Sequence, residues 1–284
     1  MNRISQSIRS HPVVAYYVMV FALAWLIWIP VGILTNGVST VAVLLGSWVP
    51  TISAITLTGY LDGRSSVRTL LRRILIWRVG IQWYVFVLFS AAIIGLIAIL
   101  LFVLLGGTAP QPTFPPGVPR ELGFVLLPFI LLTNIFLGGP LGEEYGWRGF
   151  ALVHLQAGMS ALRASLIIGI LWGAWHLPFF VFEATSSVVG SIPPLAFVLL
   201  TTVWSVLFAW VYNNTKGSIL PMVLYHAALN TTLGSLGLIG TSTGGETLLI
   251  LYIILTWLVA LLVTAIYGAS HLTRKQPASN GPAA

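Results

Sequence analysis

Cysteine is absent from this 284-residue chain. That removes disulfide scaffolds, thiolate nucleophiles, Cys-based zinc sites and iron–sulfur clusters together. Charge is nearly as scarce. Only 7% of the residues are Asp, Glu, Lys or Arg, against roughly a quarter in a soluble domain. Asp62 is the single aspartate and lies between apolar runs, so an intramembrane pair of aspartates is excluded. No Ser–Lys pair is present, no serine occupies a recognisable nucleophile setting, and neither a Walker A signature nor a Rossmann glycine fingerprint occurs.

What fills the chain instead is apolar: 57% hydrophobic residues and a mean hydropathy of +0.97. Because about twenty apolar residues span a bilayer, the composition predicts a polytopic membrane protein. Eight apolar runs stand out, at 13–35, 39–61, 83–105, 122–142, 164–182, 193–212, 217–239 and 247–268. In lipid each backbone group must bond within its own segment, and no period-two alternation supports a barrel, so the expected fold is all-α with about eight transmembrane helices. The first run is too long for a signal peptide and lacks a small-residue cleavage pattern, so it reads as a retained anchor.

The net charge of +7 does not indicate nucleic acid, because the positive charges follow the loops. With the N-terminus inside, 12 of the 13 basic residues fall on the cytoplasmic side and only Arg120 falls outside. The positive-inside rule therefore predicts cytoplasmic N- and C-termini in a cell membrane, a prokaryotic plasma membrane fitting the short basic ends better than endoplasmic reticulum. Val67–Val79 (VRTLLRRILIWRV) interleaves arginines with apolar residues at near-helical spacing and is expected to lie along the inner leaflet surface. Gly106–Pro119, with five prolines, reads as an extended outer loop, and the tail after Lys275 as disordered. The chain divides into residues 1–120 (three spans), 121–240 (a helical core) and 241–284 (last span and tail).

Ionisable groups inside a membrane are costly, so each is a functional candidate. Three clusters carry them. Gly142–Arg148 reads GEEYGWR, placing Glu144 and Arg148 four apart, where they can pair, while Glu143 points about 100° away. Leu171–Pro178 reads LWGAWHLP, with Trp172 one turn before His176 on the same face. Leu224–Asn230 reads LYHAALN, with His226 and Asn230 four apart. Taken singly, each cluster reads as easily as an interhelical polar contact. Together they offer a carboxylate that can abstract a proton from water, a neutral base, and a donor pair for a developing oxyanion.

These residues resemble the type II CAAX prenyl endopeptidase family. EEYGWR is similar to its Glu-Glu-x-x-x-Arg motif. WGAWH is similar to its Phe-x-x-x-His motif, with Trp172 in place of Phe, and HAALN to its His-x-x-x-Asn motif. The resemblance covers roughly residues 120–235 and implies an intramembrane endopeptidase acting on a membrane-associated, CAAX-like peptide or protein. It implies that Glu143 and His176 activate water, that His226 and Asn230 stabilise the oxyanion, and that Glu144, Arg148 and Trp172 support them. A metal-free glutamate mechanism is preferred, because Asn230 is a poor zinc ligand and no His-Glu-x-x-His helix is present; zinc on Glu143, His176 and His226 is the alternative. Expected partners are membrane lipids and a peptide or protein substrate, not nucleic acid. The competing readings are a non-catalytic scaffold or bacteriocin self-immunity protein, and an ion-coupled transporter.

Overall fold

The computed structural model describes residues 3–114, 119–182, 188–239 and 245–274. The expected disordered tail beyond Lys275 and part of the proline-rich linker lie outside them. The elements, in order, are α1 (Arg3–Ser10), α2 (Pro12–Thr35), α3 (Thr40–Ser47), α4 (Val49–Arg72), α5 (Ile81–Leu104) and α6 (Arg120–Leu137). After them come α7 (Pro140–Glu144), a π-helical stretch (Tyr145–Leu152), α8 (Val153–Gln156), α9 (Ala161–Trp175), α10 (Pro178–Val181), α11 (Pro194–Asn214), α12 (Leu220–Ser235) and α13 (Gly245–Tyr267). No strand occurs among the described residues, in keeping with the all-α expectation.

Among the described residues, six helical segments are long and apolar enough to cross a membrane, or seven if the bent pair around residue 138 is one span. The expected eight differ from this in two places, each with a local cause. The run at 217–239 forms a helix of only 16 residues, Leu220–Ser235, because Lys216 and Gly217 both take left-handed backbone before it. The run at 122–142 does not continue to its end. It stops at Leu137, turns through Gly139 at φ +98°, and restarts at Pro140 with a bend of 43°. Gly tolerates that φ, and Pro at a first helical position sacrifices no hydrogen bond.

Two further boundaries move. Helical structure runs to Leu75 within the expected surface helix Val67–Val79 and leaves Ile76–Gly80 non-helical. This arm is not separate from the second span: it continues α4 after a break at Gly63 (φ 82°, ψ −179°). The fifth run breaks after Trp175, so His176 caps α9 rather than lying within it. The Trp175 carbonyl, left without an intrahelical partner there, accepts from the Trp25 indole of α2 at 2.9 Å.

The centre of the bundle is α11. Phe197 and every residue from Leu200 to Tyr212 are buried, as expected of a helix that is apolar all round. It meets α9 at very short range. A Cβ at Gly169 would collide with the backbone of Thr201 and Thr202, and one at Gly173 with Val198. Gly169-x-x-x-Gly173 is the small-residue spacing by which membrane helices bring their backbones together. Lipid-facing helices α2, α5 and α13 instead carry rows of exposed Leu, Ile and Val.

Candidate functional site

The polar residues that the sequence places far apart meet beside α11. Glu143, Glu144, Arg148, His176 and His226 are each no more than 7% exposed. Burial of this kind demands partners, since an ionised group without them is strongly unfavourable.

Glu143 sits at the end of α7, and its Oε2 accepts two indole N–H bonds. Trp147, one turn on, donates at 3.1 Å; Trp172, from α9, donates at 2.8 Å. Two donors on one oxygen fix the carboxylate plane, and Oε1 is left facing the Gly139 turn, where a Cβ would strike it. Glu144 does different work. Its Oε1 pairs with Arg148 at 2.8 Å and with His226 Nδ1 at 2.8 Å. Arg148 also donates to Ser205 at 3.3 Å and lies 3.8 Å over the Phe208 ring and 4.7 Å over Trp172. A guanidinium can satisfy its fork and its faces at once, which a point-charge ammonium cannot.

The adjacent glutamates therefore divide as the sequence spacing predicts: Glu144 is bound into an i, i+4 ion pair and Glu143 is turned elsewhere. The π-helical winding from Tyr145 to Leu152 begins immediately after them, and such stretches recur at functional sites.

His176 and His226 reach the same region. The His176 Nδ1 lies 2.9 Å from the Trp172 carbonyl. A carbonyl only accepts, so Nδ1 carries the proton and Nε2 of the neutral ring presents its lone pair. The Trp172 indole lies between the two histidines, with ring centroids 6.3 Å from His176 and 5.1 Å from His226. Asn230 is one helical turn beyond His226 and donates one amide N–H to Gly138 O at 3.0 Å. His226 and Asn230 thus both face the α6–α7 turn, and they are also split: one is tied to Glu144, the other to the backbone beside Glu143.

Among the described residues no group of three or more His, Asp or Glu side chains is placed to hold a metal ion. Oε2 of Glu143 and Nδ1 of His226 are already occupied by indole donors and by Glu144.

Several contributors have no counterpart in the sequence motifs. Tyr16 and Tyr17 of α2 press on Trp147, with ring centroids 5.8 and 5.9 Å away. Trp28 of α2 packs on Trp175 at 4.6 Å. Gly142 lies so close to α3 that a Cβ would strike the Ser47 carbonyl. Trp147 was discoverable by its i+4 spacing from Glu143; Ser205 and Phe208, inside an apolar run, offered no signal. One serine pattern also needs correction: residues 240–244 spell GTSTG, the letters of Gly-x-Ser-x-Gly. They lie outside the described residues, and the nucleophile elbow requires a strand leading into a helix; no strand occurs among the described residues.

Residues 124–232 match the family model described as type II CAAX prenyl endopeptidase Rce1-like. The chain is 30% identical over 152 residues to CAAX prenyl protease 2 of Methanococcus maripaludis, an alignment that covers 51% of this chain and 53% of that relative. The chain thus spans about half the length of the curated relative it matches. All three polar clusters lie within residues 124–232, the stretch that is similar to the type II CAAX prenyl endopeptidase Rce1-like family model.

Proposed function

We propose that this protein is an intramembrane endopeptidase that hydrolyses a peptide bond of a membrane-associated, CAAX-like substrate. The observation that carries the reading is Glu143, a buried carboxylate with one oxygen held by two indole N–H groups and the other turned toward the Gly139 turn. A base aimed in one direction by fixed donors loses nothing to reorientation during reaction.

In this reading Glu143 accepts a proton from water, and the resulting hydroxide attacks the scissile carbonyl carbon. His176 Nε2, unprotonated, accepts a hydrogen bond from the same water and orients it. The C=O π pair moves onto oxygen, and donors from α12 receive the oxyanion. Asn230 has a second amide N–H for this. His226 donates through Nε2 only as the imidazolium, for which Glu144 is the counter-ion. When the tetrahedral intermediate collapses, the C–N bond breaks and the proton held on Glu143 passes to the leaving amine, giving a new carboxylate and a new amine. In this reading no step passes through a metal.

The test is cleavage of a C-terminally quenched reporter peptide by the purified chain in proteoliposomes, with and without chelator. Glu143→Gln keeps the shape and the ability to accept from the indoles but removes the base, and is expected to lose roughly 10²–10⁴-fold in rate. His176→Ala is expected to lose comparably, with both variants eluting as folded protein. Undiminished cleavage in either variant overturns the assignment, and loss of wild-type cleavage on chelation overturns the metal-free mechanism.

A further inference from the structure

The arm that follows Gly63 has a face that the site does not use. Arg64, Arg68 and Arg72 repeat every fourth residue and are all exposed. One row over, Val67, Leu71 and Leu75 repeat at the same spacing, with Leu71 40% and Leu75 69% exposed. The two rows together line one open groove of about 400 Å³ along the helix surface. No acidic side chain pairs with any of the three arginines among the described residues; the ion pairs there are those of Glu144. Three uncompensated guanidinium groups on one face are a site built for anions, and the parallel apolar row adds a surface for a hydrocarbon chain.

The arm is also fixed in place. Leu70, on its other face, is buried against Gly149. The Tyr145 hydroxyl donates to the Leu71 carbonyl at 2.9 Å. Arg73, which does not line the groove, donates to the Gly149 carbonyl at 3.3 Å and to the Tyr212 hydroxyl. Beyond it, Ser218 donates to the Ile76 carbonyl at 2.7 Å. The basic face is therefore presented by a segment bolted to the π-helical stretch and to the start of α12.

We propose that the Arg64–Arg68–Arg72 face is a binding site for an anionic phospholipid, with its phosphate on the arginine row and an acyl chain along Val67, Leu71 and Leu75. An acidic peptide satisfies the arginines but leaves the exposed leucines in water, and free phosphate does the same. Only a molecule that carries both chemistries covers both rows. Trp77, 60% exposed beneath the Arg78 guanidinium at 5.1 Å, extends the same pairing of ring and charge found at membrane interfaces.

The experiment measures binding without proteolysis, so it stands apart from the endopeptidase reading. The full chain in neutral detergent is titrated with phosphatidylglycerol, phosphatidylcholine, inorganic phosphate and an acidic peptide, and is followed by thermal unfolding and by retained lipid in native mass spectrometry. Phosphatidylglycerol is expected to raise Tm saturably and to be retained, while the other three do neither. The triple variant Arg64→Gln, Arg68→Gln, Arg72→Gln is expected to bind roughly a hundredfold more weakly, from about fivefold per arginine near a lipid surface. The triple Lys variant is expected to retain most of the binding, and Arg163→Gln all of it. Binding unchanged in the Gln variant, or an equal response to phosphate, phosphatidylcholine or the acidic peptide, overturns the proposal. A Gln variant that fails to fold is replaced by the three single variants, whose binding must then fall individually.

Discussion

The Trp172 indole N–H is one of two donors that hold the Glu143 carboxylate, a polar contact that Phe cannot make. Trp172→Phe keeps most of the ring packing against His226 and Arg148 but leaves Trp147 as the sole donor to Oε2. A hydrogen bond to a charged group contributes about 1.5–3 kcal/mol, so reporter cleavage is expected to fall by roughly tenfold or more, read in kcat rather than in thermal stability. Arg148 makes the opposite case. It bridges Glu144, Ser205, Phe208 and Trp172 from a site 1% exposed, so Arg148→Ala leaves Glu144 with His226 as its remaining side-chain partner. Removing one partner of a buried pair costs about 3–5 kcal/mol, and the variant is expected to unfold at markedly lower temperature. Arg148→Lys is not expected to restore Tm, since an ammonium reaches Glu144 but neither stacks nor forks.

At the level of elements, the α9–α11 seam sets where Trp172 and His176 stand relative to α12. Gly169 has no space for a side chain, because the atoms that a Cβ would meet are backbone atoms of α11 and cannot swing aside. Overpacking a tight interface costs about 1–3 kcal/mol. Gly169→Ala is therefore expected to lower Tm and, by displacing Trp172 from Glu143, to slow cleavage; thermal unfolding and the reporter assay check the two effects separately. The fifth run ends earlier than helix periodicity alone predicts. His176 reads as a mid-helix residue, but with Pro178 two positions on, the helix ends where Trp25 of α2 captures the Trp175 carbonyl. A local proline and a tertiary hydrogen bond act together at that boundary.

Across the whole molecule, the absence of cysteine makes orientation directly measurable. Single cysteines at Gln6, Ser65 and Lys216 are expected to react with a membrane-impermeant maleimide only from the cytoplasmic side, and one at Thr108 only from the opposite side. Labelling of Ser65→Cys and Thr108→Cys from the same side defeats the arrangement predicted by the basic residues. Composition by itself determined the solvent, the all-helical form and the scarcity of polar side chains, because hydrocarbon leaves few ways to satisfy a backbone. Spacing by itself determined that Glu144 pairs with Arg148 and that Glu143 does not, since i, i+4 neighbours share a face whatever surrounds them. Only the tertiary structure decided that Trp172 joins Trp147 on Glu143, that His226 answers to Glu144 rather than pairing with Asn230, and that the first two apolar runs reach the site through Tyr16, Tyr17 and Ser47. Except for Trp147, four residues from Glu143, those partners lie 29 to more than 120 residues apart in the chain and are ordinary members of apolar runs until packing brings them together. The physical reason is that a hydrogen bond depends on distance and direction in space, which periodicity within one helix does not encode.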